Sequence, residues 1–326
     1  VMSTATPPVS SKLFGLFCLA SYLLSLSYGS TFLLSLLISS RGGNEHDAGS
    51  VISAAMLSTF AAVIVSGHLS DLLGAARSVA LFGVLLVAAS LGFALSPGFG
   101  HLLLFFALLL GLGWGVFYTL GPIIVASLVI PTQRAKYFAL LSGSMMTGIG
   151  SGPLLGRAAS ALGYPVTAAF YLAALASLIG VLLFWRLDRQ LKQAPVQSGS
   201  VSRISWRAAA QVLSSRAIFP IIMVGLGGCV FGGLSSFQTS YAAARSLDYS
   251  LFFLGFMSAA ISGRMLVAGF VVKRDPLRAS CLLSGLMLAS IVMFGHVVAS
   301  SFSYVLAAVM LRPVATHVAH GEASFV

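Results

Sequence analysis

The chain has 326 residues, 58% of them hydrophobic and 8% charged, with a mean hydropathy of +1.00. Its 18 Lys and Arg and 7 Asp and Glu are too few to clothe a water-soluble body, for which about a quarter of residues would be charged. The net charge of +11 does not imply nucleic acid, because the basic residues sit in short segments between apolar runs and no basic surface interleaved with aromatics exists.

The fold class read from the hydropathy pattern is an all-α polytopic membrane bundle. Span 1 covers residues 13–38. It is longer than a signal-peptide core and is expected to be retained. Spans 2 to 6 are predicted at 49–71, 77–95, 101–130, 137–162 and 166–185. A polar stretch follows, and spans 7, 8 and 9 are predicted at 217–242, 250–272 and 278–299, with a tenth starting near Phe302 and faltering at Arg312 and Pro313. The domain plan is therefore a six-span half over 1–190, a basic linker over 191–216, an incomplete second half over 217–311 and an atypical tail over 312–326. Cys18, Cys229 and Cys281 lie far apart in apolar runs and read as small hydrophobes.

With the N-terminus in the cytoplasm, Lys12, Arg77, Arg134, Lys136, Arg186, Arg189, Lys192, Arg203, Arg207, Arg216, Lys273, Arg274 and Arg278 share one side, thirteen of the 18 basic residues. The opposite loops hold Arg41 and Arg245 alone. This asymmetry orients the chain. The two sides of the linker also resemble each other: Gly67, Arg77 and Gly83 align with Gly269, Arg278 and Gly285, which suggests a duplicated half.

Gly67, Asp71, Gly74 and Arg77 fall in the loop between spans 2 and 3. Gly148, Gly152, Pro153 and Gly156 form G-x-x-x-G-P-x-x-G in span 5. On these residues, and on six spans followed by a basic linker, the chain resembles the major facilitator superfamily. Leu72 and Ala75 stand where that family has basic residues, and span 4 lacks the arginine of many proton-coupled exporters. The resemblance implies a secondary transporter, specifically an exporter of a small organic solute in the bacterial inner membrane. It implies an Asp71 gate that pairs with a helix N-terminus of the opposite half. It also implies twelve spans, so a C-terminally truncated carrier fragment, or a membrane scaffold or sensor, is the alternative reading. The glycine face of span 5 is expected to pack closely on span 8.

By the same analogy, spans 1, 4 and 7 line the solute path, with Tyr28, Trp114, Tyr118 and Gln238 the leading contacts. Ser21, Ser25, Ser35, Ser236, Thr239 and Tyr241 share those spans, and Ser or Thr there can instead bond their own helix. Arg264, inside span 8, is a further candidate because an ionisable residue in the membrane is usually functional. Asp and Glu all fall in loops, span ends or the tail, so the coupling species, a proton or another ion, stays open. No phosphate-binding glycine loop, metal cluster, nucleophile–base pair or cofactor site is discernible, and the expected partners are a small solute and the lipid bilayer, not nucleic acid.

Overall fold

The computed structural model describes residues 11–98, 100–130, 133–191, 215, 218–262, 276–297 and 300–311. Every regular element among them is helical. The chain divides into two compact units, Val1–Ser198 and Gly199–Val326. The predicted linker and the tail lie almost wholly outside the described residues, as does Arg264.

In the first unit, α1 (Ser11–Ser30) passes through a 3₁₀ turn (Thr31–Leu33) into the short α2 (Leu34–Ser40). Together they make one candidate span, Lys12–Ser40. Then come α3 (Glu45–Leu73), α4 (Ala75–Leu95), α5 (His101–Leu128), α6 (Arg134–Ala161) and α7 (Thr167–Leu191). All six spans are apolar and long enough to cross a membrane, and they match the six predicted ones. Helices α3, α5, α4, α7, α1 and α6 pack in that order, each on the next. α1 also touches α4 and α5 and is well buried, whereas α3 presents most of its surface outward, with Leu57 and Phe60 exposed. Exposed leucines and phenylalanines are the expected exterior where the solvent is lipid.

Three details differ from expectation. α3 starts at Glu45 rather than residue 49, because Asn44 and Asp47 form a reciprocal capping box: the Asp47 N–H donates to Asn44 Oδ1 (3.1 Å) and the Asn44 N–H to Asp47 Oδ2 (2.9 Å). α7 runs on to Leu191, past the predicted end at 185, and buries Leu187 and Asp188 on its inner face. Span 7 is two helices, α8 (Ile218–Ser236) and α9 (Gln238–Ala244), separated at Phe237. The second unit continues with α10 (Ser250–Ser262), α11 (Pro276–His296) and α12 (Ser301–Met310), in which α12 packs on both α10 and α11.

Small polar groups tie the first unit together where hydrophobicity cannot distinguish protein from lipid. Ser27 of α1 reaches Ser90 Oγ of α4 at 3.1 Å and the Ala173 carbonyl of α7 at 3.2 Å, and also contacts Ser177 Oγ. All three serines are fully buried.

One corner occurs twice. α2 and α9 are both seven-residue helices, each following a break in its span and each ending at an arginine C-cap, Arg41 or Arg245. After each arginine comes a left-handed residue, Gly42 (φ 83°) or Ser246 (φ 55°). The closing bonds are identical in pattern: Gly42 to Ser39 and Gly43 to Ile38, against Ser246 to Ala243 and Leu247 to Ala242. This is a Schellman ending. The next helix is then led in by an Asn44 or Asp248 side chain that accepts a backbone N–H.

Both arginines do the same work. Arg41 Nη2 donates to the Phe93 carbonyl (2.8 Å) and more weakly to Ala94 (3.4 Å) at the end of α4, and Arg245 Nε donates to the Val297 carbonyl (3.2 Å) just past α11. A cation there satisfies carbonyls that have no helical partner and complements the negative helix end. This gives a role to Arg41 and Arg245, the two basic residues that the sequence reading assigns to the opposite loops. Arg41→Gln, and separately Arg245→Gln, should each lower stability by about 1.5–3 kcal/mol, the worth of a charged hydrogen bond. Thermal unfolding in detergent checks this, and an unchanged midpoint for either variant would refute the capping role.

Candidate functional site

The site residues predicted in the first unit fall into three groups. At the α3–α4 junction, Gly74 is at once the last cap of α3 and the first of α4, with φ 85°. Such a backbone favours glycine, and it lets two spans reverse across a single residue. Ser78 Oγ secures the turn by donating to the carbonyls of Gly74 (2.8 Å) and Leu69 (3.1 Å). Asp71 and Arg77 flank the turn, both exposed, and neither makes a hydrogen bond or ion pair among the described residues. Gly67 has open space where a Cβ would be. The turn is thus built, and its carboxylate stands uncommitted within this unit.

The second group is the glycine face of α6, whose neighbour within the unit the sequence did not name. Gly148, Gly152 and Gly156 lie against α1 and its 3₁₀ extension. A Cβ on Gly148 would fall on the Tyr22 carbonyl, one on Gly152 on the backbone of Gly29 and Ser30, and one on Gly156 on the Leu33 side chain. From the other side, a Cβ on Gly29 would coincide with the carbonyl of Ile149. Pro153 lies four residues beyond Ile149 inside α6 and has no N–H to give that carbonyl. The freed oxygen instead faces the Cα hydrogen of Gly29, a weak C–H···O contact of a kind found where helices approach closely. Gly29 was missed in the sequence. Its only signal was being a glycine in span 1, next to Tyr28.

The third group is aromatic. Tyr28 of α1 stacks on Trp114 of α5, with ring centroids 4.3 Å apart and planes 13° apart. Tyr118, one turn on, lies 5.8 Å from Trp114, and Phe32 packs edge-on to Tyr28 at 6.0 Å. Tyr28 Oη also contacts Met56 Sδ of α3 at 3.9 Å. Sequence candidates on two spans therefore meet in one cluster. Trp114 is only 4% exposed while Tyr118 is 52% exposed, so the tryptophan is a platform and Tyr118 the accessible ring. α5 is seated by its own glycines: a Cβ on Gly111 would meet the Ala55 carbonyl and Ser58 of α3, and one on Gly115 would meet Thr59 and Ala62. That close seat sets the direction in which Trp114 leaves the helix.

Other span 1 candidates are occupied locally. Ser21 Oγ donates to the Phe17 carbonyl (2.8 Å) and Ser25 Oγ to that of Ser21 (2.7 Å), both buried. In the second unit, Gln238 is 1% exposed and its Oε1 accepts from Tyr304 Oη at 2.7 Å, while its Nε2 has no partner among the described residues. Tyr241 stacks on Tyr304, donates to the Phe294 carbonyl and lies under the Arg245 guanidinium, 4.1 Å from the ring centroid. No cluster of three metal-ligating side chains occurs among the described residues.

Two compact helical units, with six membrane-length spans in the first, define a polytopic membrane protein. The family model of the Major Facilitator Superfamily matches residues 14–319. The chain belongs to that superfamily and is a multi-pass membrane transporter rather than an enzyme. Its fold is similar to the human organic anion transporter MFSD10 (TETRAN), at 18% identity and a TM-score of 0.68, over 97% of this chain and 86% of that one. It is similar to the peptide transporter POT in complex with sulfate, at 18% identity and 0.63, over 92% and 79%. It is also similar to FucP in the outward conformation, at 16% identity and 0.59, over 93% and 83%. No protein of curated function matches it in sequence.

Proposed function

We propose that the protein is a secondary active exporter of a small organic solute. It works by alternating access between its two halves in a bacterial inner membrane, with its N-terminus in the cytoplasm and a proton or another ion as coupling species. The observation that carries this reading is the Tyr28–Trp114–Tyr118 cluster on α1 and α5. It is a rigid aromatic surface on two spans, with one ring open and no charged side chain among the three. Such a surface suits an uncharged or weakly polar organic face, for which stacking adds about 0.5–1.5 kcal/mol beyond burial. Gln238 and Arg264 are the candidate polar and charged contacts contributed by spans 7 and 8. Asp71 and Arg77 around Gly74 form the cytoplasmic gate, and the Gly148, Gly152, Pro153 and Gly156 face is the bearing on which α6 moves against α1.

Efflux from proteoliposomes loaded with a panel of organic solutes tests this. Tyr118→Ala should reduce flux of the transported solute roughly tenfold, equivalent to about 1.4 kcal/mol, with thermal stability unchanged, and Tyr118→Phe should retain most of it. No flux of any solute above empty vesicles would sink the proposal, and so would equal flux in Tyr118→Ala.

A further inference from the structure

The last turns of α7 carry a groove that the transport reading leaves unused. Ile179, Leu182, Leu183, Trp185, Arg186 and Arg189 line it, and its volume is about 560 Å³. Ile179, Leu182, Arg186 and Arg189 recur at intervals of three and four, so they make one stripe along the helix. Leu182 is 57% exposed, Trp185 44%, and both arginines are exposed. Neither guanidinium makes a hydrogen bond or ion pair among the described residues. Asp188, the one carboxylate in this stretch, is turned inward and 9% exposed, so it is not part of the lining.

The groove is two-faced along its length. One end is aliphatic and continuous with the exposed Leu175 and Leu178, and the other carries two positive charges, unpaired among the described residues, beside an indole. On a membrane span, an aliphatic track faces acyl chains and tryptophan sits at headgroup depth. Guanidinium groups one turn apart present planar donor forks, a geometry that matches phosphate oxygens. A soluble anion would use the arginines and leave the Ile179–Leu182 wall bare, whereas a neutral lipid would use the wall and leave the charges unanswered.

We propose that this groove binds an anionic glycerophospholipid, its phosphodiester held between Arg186 and Arg189 and its acyl chains laid along Leu182 and Ile179. The groove's described lining residues are all on α7, and the site stands whether or not the chain exports the solute class argued above. The competing account is that the arginines only complement the C-terminal end of the α7 dipole, which requires no lipid.

The chain has three tryptophans, Trp114, Trp185 and Trp206. With Trp114→Phe and Trp206→Phe, Trp185 becomes the sole tryptophan, excited selectively at the red edge where tyrosine does not absorb. It would be reconstituted in phosphatidylcholine vesicles containing the same small fraction of acyl-brominated phosphatidylglycerol or acyl-brominated phosphatidylcholine. The brominated anionic lipid should quench Trp185 at least roughly threefold more than the neutral one. Arg186→Gln with Arg189→Gln should remove the excess, and the corresponding lysine pair should keep part of it. Equal quenching by both lipids, or an excess that survives the double glutamine variant, overturns the proposal. An excess abolished by millimolar inorganic phosphate also overturns it, because the site would then read the anion alone. Should the tryptophan variants fail to fold, native mass spectrometry of the otherwise unaltered protein replaces them. Retained phosphatidylglycerol that disappears with the glutamine pair supports the site, and retention unaffected by that pair refutes it.

Discussion

Replacing Gly29 with alanine is expected to lower the unfolding midpoint in detergent by about 2–10 °C, although only one methyl group is added. The new carbon would coincide with the Ile149 carbonyl, which is backbone and cannot rotate away. α1 and α6 must therefore part, at an overpacking cost of about 1–3 kcal/mol, which corresponds to that range of midpoint for a domain of this size. Gly152→Ala should behave alike, since its added carbon would fall on Gly29 and Ser30. Gly15→Ala on α1 and Gly143→Ala on α6 are the matched controls: both positions have open space, and alanine is the better helix former by about 0.5–1 kcal/mol. They should hold or raise the midpoint. If all four substitutions had equal effects, the close approach of these two helices would not be the source of stability here.

Much of this was legible because lipid imposes a length and an apolarity on every span. The limits of spans 3 and 4 needed only Pro97, His101 and the uncharged runs around them. What resisted reading was pairing. Gly148, Gly152 and Gly156 announce a close neighbour by their spacing, but a face without side chains carries no complement that would name it. Gly29 answers with the same absence. The duplication shows a different limit. The sequence suggests it in the alignment of Gly67 and Arg77 with Gly269 and Arg278, of which Gly269 lies outside the described residues. Its best structural expression, the Arg41 and Arg245 corners, was spelled in different letters: Gly42 and Ser246 share a left-handed backbone, and Asn44 and Asp248 share a cap, without sharing identity. Conformation is repeated there and sequence largely is not. The aromatic cluster was legible residue by residue, but the roles within it depended on burial, which a helical spacing of four cannot assign between Trp114 and Tyr118.

Those roles separate in a second experiment. Trp114→Ala is expected to destabilise the protein by about 3–5 kcal/mol, the range for removing a large buried aromatic side chain. It empties a site between α1 and α5 that is 4% exposed, and takes from Tyr28 its stacked face, from Tyr118 its neighbour and from Phe117 a ring 5.6 Å away. Tyr118→Ala, at a ring half open to its surroundings, should stay within about 0.5 kcal/mol of the parent. A double-substitution cycle over Tyr28 and Trp114 should return a coupling of about 0.5–1.5 kcal/mol, as stacked aromatic pairs do. Trp114→Phe should recover most of the lost stability because an aromatic ring is retained. The pattern to look for is stability lost at Trp114 and flux lost at Tyr118. Should Trp114→Ala unfold no more easily than Tyr118→Ala, the tryptophan is no platform, and the surface on which the transport reading rests would have no rigid backing.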